Sequence, residues 1–450
     1  MNHRSVVSML SVGVLLGCAG TACAQNSLFN FNVNATNMSG LMLNAGGSSM
    51  PDLIEDLIDT QGQFSSFAGV PFSAGLTYAG VQNAAVFTLN GSATQATLTF
   101  PILGAGAPVR TFDATNGDLS DQLQDYFLKD APSDIEDFLQ AVARESVLAV
   151  TDGNPSSTTA RMARFAYDRF GMWADVPWAQ APNPVEIENI PQQNPGTNPR
   201  PAGADPLAVV VVDERHNFGT RSRFRFDVSG GVIDTDTADG GTASFDPSFE
   251  YRFNENVGLI IGTPLAYHRV EGANVFNFGV HLGLPIALAR PENGKGISWQ
   301  VTPSVLAAGS ASYDFAAGAL LTGYGITNLV TYSSGNEAGD WGASIIAHYS
   351  GYNSQKISYD DYEFDSGVDQ QIFRAGGRVT YNATSQWMFY GGAAYTDFIE
   401  DAAIDNYISP EGGVAIRGEG GNFNLRFGYQ GDLGDGYTSH QLRFVADWRY

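Results

Sequence analysis

The stretch QLRFVADWRY, residues 441–450, decides the fold. Leu442, Phe444, Ala446, Trp448 and Tyr450 alternate with Gln441, Arg443, Asp447 and Arg449, and Val445 alone breaks the pattern. A period of two belongs to an extended strand, here with one apolar and one polar face. Two architectures present such a strand. One is a soluble sandwich. The other is a transmembrane β-barrel, whose strands meet lipid on one side and a polar lumen on the other.

Upstream, from about residue 218, the alternation recurs. RFRFDV sets Phe224, Phe226 and Val228 against Arg223, Arg225 and Asp227. FNFGVHLGL sets Phe276, Phe278, Val280, Leu282 and Leu284 against Asn277, Gly279, His281 and Gly283. Similar segments lie at about 221–232, 243–254, 257–268, 274–287, 297–309, 318–333, 340–352, 370–382, 386–397, 407–418, 422–432 and 439–450. That makes twelve, an even number, as single-chain bacterial barrels have. Short connections such as RFNENVG, YNATSQW and GEGGNF alternate with longer acidic ones. The long ones are VIDTDTADGGTASFD, SQKISYDDYEFDSGVDQ and DFIEDAAIDN, which read as outer loops. The expectation is a mainly β chain: an antiparallel transmembrane barrel of about 12 strands over 218–450, preceded by a separate α+β domain.

Composition agrees. Charged residues are 16% of 450, aromatics are 12%, and the formal net charge is −24. So acidic a chain is a poor partner for nucleic acid or anionic lipid headgroups. No later stretch reaches 18 consecutive apolar residues, so any membrane crossing must be made by strands. The first 24 residues read as a cleaved signal peptide: Arg4, an apolar run from Val6 to Leu16, then Ala22-Cys23-Ala24. Leu15-Leu16-Gly17-Cys18 offers an alternative reading, resembling a lipoprotein box with a lipidated Cys18. Both cysteines lie in this leader, so a chain cut after Ala24 has none.

Residues 25–176 read as the α+β domain. NAAVFTLNG and ATQATLTF alternate as strands. SMPDLIEDLIDTQ, DLSDQLQDYFLKD, SDIEDFLQAVARESVLAV and STTARMARFAYDRFGMW read as amphipathic helices, with Ser133 and Glu136 in capping-box spacing. Residues 177–217 are a linker rich in proline, from Pro177 to Pro206, and extended for that reason.

Site chemistry concentrates in the barrel. The polar faces collect Arg223, Arg225, Arg252, Arg374, Arg378, Arg417, Arg426, Arg443 and Arg449, against Asp227, Glu250 and Asp447. A basic lumen admits three readings: an anion-preferring passage, arginines that pair with carboxylates and fill a narrow tube, or a seat for an acidic plug such as 118–138. Asp234, Asp236, Asp239, Asp360, Asp361, Glu363 and Asp365 would make an acidic outer rim that bridges lipopolysaccharide. DTDTADGG places its third Asp one position late for a calcium loop, so no metal site is read there. His216, His268, His281, His348 and His440 are scattered. There is no Gly-x-Ser-x-Gly elbow, no His-Glu-x-x-His and no phosphate loop. No enzyme and no cofactor are expected.

Leu442, Phe444, Trp448 and Tyr450 resemble the C-terminal assembly signal of Gram-negative outer-membrane barrels. The order of domain, linker and terminal barrel of about twelve strands is similar to the autotransporter family. The resemblance implies outer-membrane lipid, lipopolysaccharide and the barrel assembly machinery as partners. It also implies a helix threaded through the lumen ahead of the first strand, where this chain has its proline-rich run. Nor do residues 25–176 carry the repeated short strands of a β-helical passenger. Two functions follow: a barrel that exports or displays its N-terminal domain for adhesion, or a pore with that domain as a periplasmic piece or plug.

Overall fold

The computed structural model describes residues 28–38, 41–60, 67, 70–92, 94–117, 119–126, 132–172, 222–236, 238–254, 256–291, 295–315, 317–335, 337–359, 362–418 and 423–449. The segment read as a leader, with Cys18, the stretch read as a linker, 177–217, and Asp360, Asp361 and Tyr450 lie outside them.

The N-terminal part is one antiparallel sheet with helices on a single face. Its strands are β1 (Phe29–Ala35), β2 (Met42–Gly47), β3 (Phe72–Tyr78), β4 (Val81–Leu89), β5 (Gln95–Thr99) and β6 (Val109–Asp113), in the order β2-β1-β3-β4-β5-β6. Alternation puts Phe29, Leu76, Phe87 and Leu98 on the apolar face. Helices α1 (Met50–Thr60), α2 (Leu119–Asp125) and α3 (Pro132–Glu145) join this part. Phe138 and Val142 of α3 share a core with Phe29, Tyr78 and Phe100.

The barrel is built from β7 (Arg223–Thr235), β8 (Asp239–Arg252), β9 (Gly258–Gly262), β10 (Leu265–Val270), β11 (Ala273–Gly283), β12 (Ile286–Ala289), β13 (Gly296–Ser312), β14 (Ala317–Ser333), β15 (Trp341–Ser354), β18 (Asp369–Asn382), β19 (Trp387–Phe398), β20 (Asn406–Arg417), β21 (Phe423–Gly434) and β22 (Tyr437–Arg449). A small hairpin, β16 (Ile357–Tyr359) and β17 (Tyr362–Phe364), sits in the β15–β18 connection. Proline has no N–H to give a ladder, and Pro264 and Pro285 each interrupt one long strand. β9 and β10 are therefore one stave, both pairing with β8 and β11, and β11 and β12 are another, both pairing with β13. The result is twelve staves. β22 pairs with β7 from Tyr437↔Thr235 to Arg449↔Arg223 and closes the ring. Closure leaves no sheet edge, the condition for strands to sit in lipid.

The outer wall is apolar. Val232, Phe276, Val305, Ile345, Val379 and Leu442 are all exposed, Ile345 and Leu442 by more than 70%. Tyr251, Trp299, Tyr332, Trp341, Trp387 and Trp448 ring the end where β7 begins and β22 finishes. Such a band with an aromatic girdle marks a lipid-facing surface.

Three expectations change. Residues 232–246 are not a long loop: β7 runs to Thr235, β8 starts at Asp239, and Asp234 pairs with Asp239. The strands continue because Ile233 packs under Val147 and Ile404, and Ala238 joins the N-terminal core. Loop length therefore does not sort the two mouths, since tight turns at 271–272 and 435–436 share a mouth with the long 355–368 connection. The described residues of the acidic stretch 118–138 do not plug the lumen either: Asp134 pairs with Arg110 of β6 at 2.6 Å, and Phe138 packs under the N-terminal sheet. Finally, 158–172, read as the last helix of the N-terminal domain, lies inside the barrel.

Candidate functional site: the occupied lumen

The chain leaves α3 and crosses the barrel mouth through Ser146–Ser157. Gly153 takes φ +80°, a conformation suited to glycine, and its carbonyl accepts from the Ile404 N–H at 3.1 Å. The Ser156 hydroxyl shares a 2.7 Å bond with Tyr437. Ser157 caps α4 (Thr158–Tyr167) by accepting from the Ala160 N–H. The helix continues as a wider π turn over Asp168–Met172.

This helix fits a tube. Ala160, Ala163 and Ala166, three apart, are nearly fully buried and keep it slim. β11 runs alongside with the inward set Asn277, Gly279, His281 and Gly283. Thr158 donates to Asn277 at 2.7 Å. A methyl on Gly279 would come within 2.9 Å of the Met162 sulfur, and one on Gly283 would overlap the Phe170 ring. Gly262 leaves space in the same manner for the Arg169 guanidinium. The glycines in these strands are grooves cut for particular helix side chains.

Charge makes the second fit. Arg164 meets Asp432 at 2.9 Å, and the Asp432 carboxylate also accepts from Ser409 (2.7 Å) and Ser439 (2.8 Å). Arg169 pairs with Asp246. Asp168 takes a 2.7 Å bond from Arg443, whose Nε meets Asp227 at 2.9 Å. Arg161 donates to the Ser156 carbonyl (2.8 Å) and the Thr242 hydroxyl (3.0 Å). Arg374 stacks on Tyr167 with 5.0 Å to the ring centroid. Arg378 donates to the Met172 carbonyl, and Arg225 to the Arg169 carbonyl at 3.5 Å.

Of the nine arginines singled out in the sequence, Arg225, Arg374, Arg378 and Arg443 thus contact the helix. Arg426 pairs with Asp447 at 3.0 Å, and Arg223 with Glu250, which also takes Arg252 at 2.7 Å. Arg417 and Arg449 are half-buried at the termini end. His268, His281 and His348 are buried in the lumen, while His440 stacks on Tyr429 at the outer wall. Leu442, Phe444 and Trp448 face outward, Phe444 only half exposed. Asp234, Asp236 and Asp239 are exposed at the mouth where β7 turns into β8. Asp365 there accepts from the Ser354 hydroxyl and the Gly367 N–H. Glu363 lies in β17.

The sequence reading overlooked Asp168, Asp246 and Asp432. Asp246 lay where a supposed loop, 232–246, overlapped a strand-like segment, 243–254. Asp432 ends a strand segment, where register is hardest to read. The space left between helix and wall beside Arg164 and Arg443 is about 10 Å³, roughly one water.

No protein-family model matches the chain, and no curated protein matches it in sequence. Solved structures do resemble it. The translocator domain of the autotransporter NalP from Neisseria meningitidis matches at 10% identity and TM-score 0.38, over 52% of this chain and 89% of that one. The beta domain of the Bordetella autotransporter BrkA matches at 12% identity and TM-score 0.39, over 51% and 100%. An outer membrane channel from Pseudomonas putida F1 matches at 10% identity and TM-score 0.37, over 57% and 100%. The strand pairing itself defines the class: a closed, twelve-stranded antiparallel barrel of outer-membrane type. The chain is organised as an N-terminal sheet domain, a lumen helix and a C-terminal barrel.

Proposed function

We propose that this protein is a non-enzymatic surface-display barrel of the Gram-negative outer membrane, which holds residues 28–157 outside the cell. The path of the chain carries the reading. The N-terminal sheet caps one mouth: Tyr78 donates to the Phe315 carbonyl at 2.7 Å, and Val270, Ala273 and Phe315 of the barrel turns belong to the same core as Phe29 and Tyr78. Helix α4 then runs down the lumen toward the opposite end, where Arg223 and Arg449 start and finish the barrel. A barrel inserted from the periplasm keeps its strand termini there, because carrying them across would expose unpaired backbone to lipid. The capped mouth is then the outer one, and the helix marks the route by which the N-terminal domain left the cell. A cleaved leader, lipopolysaccharide contact and use of the barrel assembly machinery accompany this reading.

Single cysteines at Ala114 and Ser385 test it. Both are exposed, Ala114 in the N-terminal domain and Ser385 in the turn at the termini end. Display requires that a membrane-impermeant maleimide label Ala114→Cys on intact cells and leave Ser385→Cys unlabelled until the membrane is opened. The reverse pattern refutes display and returns the domain to the periplasm.

A further inference from the structure

The outer face of the N-terminal sheet has an unusual composition. Directly opposed residues in an antiparallel sheet share a face. Ser73 stands opposite Thr88, Thr88 opposite Thr97, and Thr97 opposite Thr111, so one row of four hydroxyls crosses β3 to β6. Thr88 and Thr97 hydrogen-bond each other through their hydroxyls. Asn34 extends the row into β1, and Asn32, opposite Asn44, begins a second row beside it. All of these residues are exposed or half-buried. The other face carries Phe87 and Leu98 and turns toward the barrel, so the hydroxyl rows look away from the membrane.

Strand propensity accounts for the threonines but disfavours the asparagines, which recur on this face at Asn30, Asn32, Asn34 and Asn44. Among the residues of β1–β6 that share this face, Asp113 at the corner is the one charged side chain. The contrast is internal: α1, next in the chain after β2, carries Asp52, Glu55, Asp56 and Asp59, and the whole chain has net charge −24.

We propose that this face binds an uncharged, hydroxyl-rich polysaccharide. The proposal deepens the display reading and rests on it. Hydroxyl and amide groups both donate and accept, which suits a partner whose groups are hydroxyls. Adjacent strands repeat every ~4.8 Å, close to one sugar ring of an extended chain. The net charge repels an anionic polymer. A cationic partner finds no row of carboxylates on the face, and an apolar one finds only scattered Met42, Val86 and Val109.

The experiment uses the full-length protein in detergent micelles, with immobilised hydroxyethylcellulose, dextran and mannan as neutral probes and polygalacturonate as the acidic one. Binding to at least one neutral probe and not to polygalacturonate is expected. Thr88→Val with Thr97→Val keeps shape and strand propensity while removing two hydroxyls, and should weaken that binding at least tenfold. Thr97→Ser, which keeps a hydroxyl, should leave it within twofold. No binding to any neutral probe overturns the proposal. So do equal binding by the double valine variant, equal binding of polygalacturonate, and self-association abolished by the valines. Cysteine labelling keeps the two readings apart. Labelled Ala114→Cys without polysaccharide binding sinks the ligand and leaves display. Polysaccharide binding with Ala114→Cys unlabelled on intact cells sinks display instead.

Discussion

Asp432→Asn should loosen the lumen helix. The carboxylate is 2% exposed and holds Arg164, itself only 14% exposed, at 2.9 Å. The amide keeps the shape and can keep the Ser409 and Ser439 bonds, so the change removes charge and little else. Breaking a buried pair by neutralising one partner costs about 3–5 kcal/mol. Arg164 retains its bond to Gln430 and some water, which places the cost near the lower end, about 3 kcal/mol. At 1.4 kcal/mol per tenfold, that is roughly a hundredfold rise in the population with the helix displaced. Planar-bilayer recording reads it directly, since a seated helix blocks current and a displaced one passes it. Asp432→Asn should open on the order of a hundred times more often than the parent. Adding Arg164→Gln should restore most of the closure, because no charge then stays buried without its partner; the double-mutant cycle isolates that coupling. Parent-like closure in Asp432→Asn, or equal opening with and without Arg164→Gln, would refute the assignment of this pair as the clamp.

Other outcomes follow from the same contacts. Gly283→Leu should drive Phe170 from its groove and lower thermal stability by about 1–3 kcal/mol, and Phe170→Ala should relieve much of that loss in heat-modifiability gels. Tyr78→Phe leaves the Phe315 carbonyl buried without its 2.7 Å donor; losing about 1–3 kcal/mol at the cap should appear as faster hydrogen exchange in β3 while the barrel strands stay protected. Burial in the mouth segment pushes the Asp152 carboxyl up to about 6, against smaller lowering from Thr151 and Arg144. The folded state therefore holds that proton more tightly than the unfolded one. Its stabilisation is complete below pH ~4 and lost as pH rises through about 6. Limited proteolysis of the 146–157 segment should be slower at pH 5 than at pH 8, and Asp152→Asn should flatten the difference.

The sequence by itself determined the barrel. Alternation is a local property, and a wall with lipid on one side and water or protein on the other imposes it residue by residue. Thus Leu442, Phe444 and Trp448 were legible as the outer set, and Arg443 and Asp447 as the inner. The inward glycines of FNFGVHLGL were legible as small. What they were small for was not, because Gly279 and Gly283 meet Met162 and Phe170 across a gap of more than a hundred residues. Only the tertiary structure decided where 158–172 goes. Its stripe of Ala, Met, Phe and Arg suits a helix under a sheet as well as one inside a tube, and periodicity does not say what lies on the other side of a face. Ion-pair partners such as Asp432 and Asp246 are set by closure of the ring, which brings distant strands to bear on one helix.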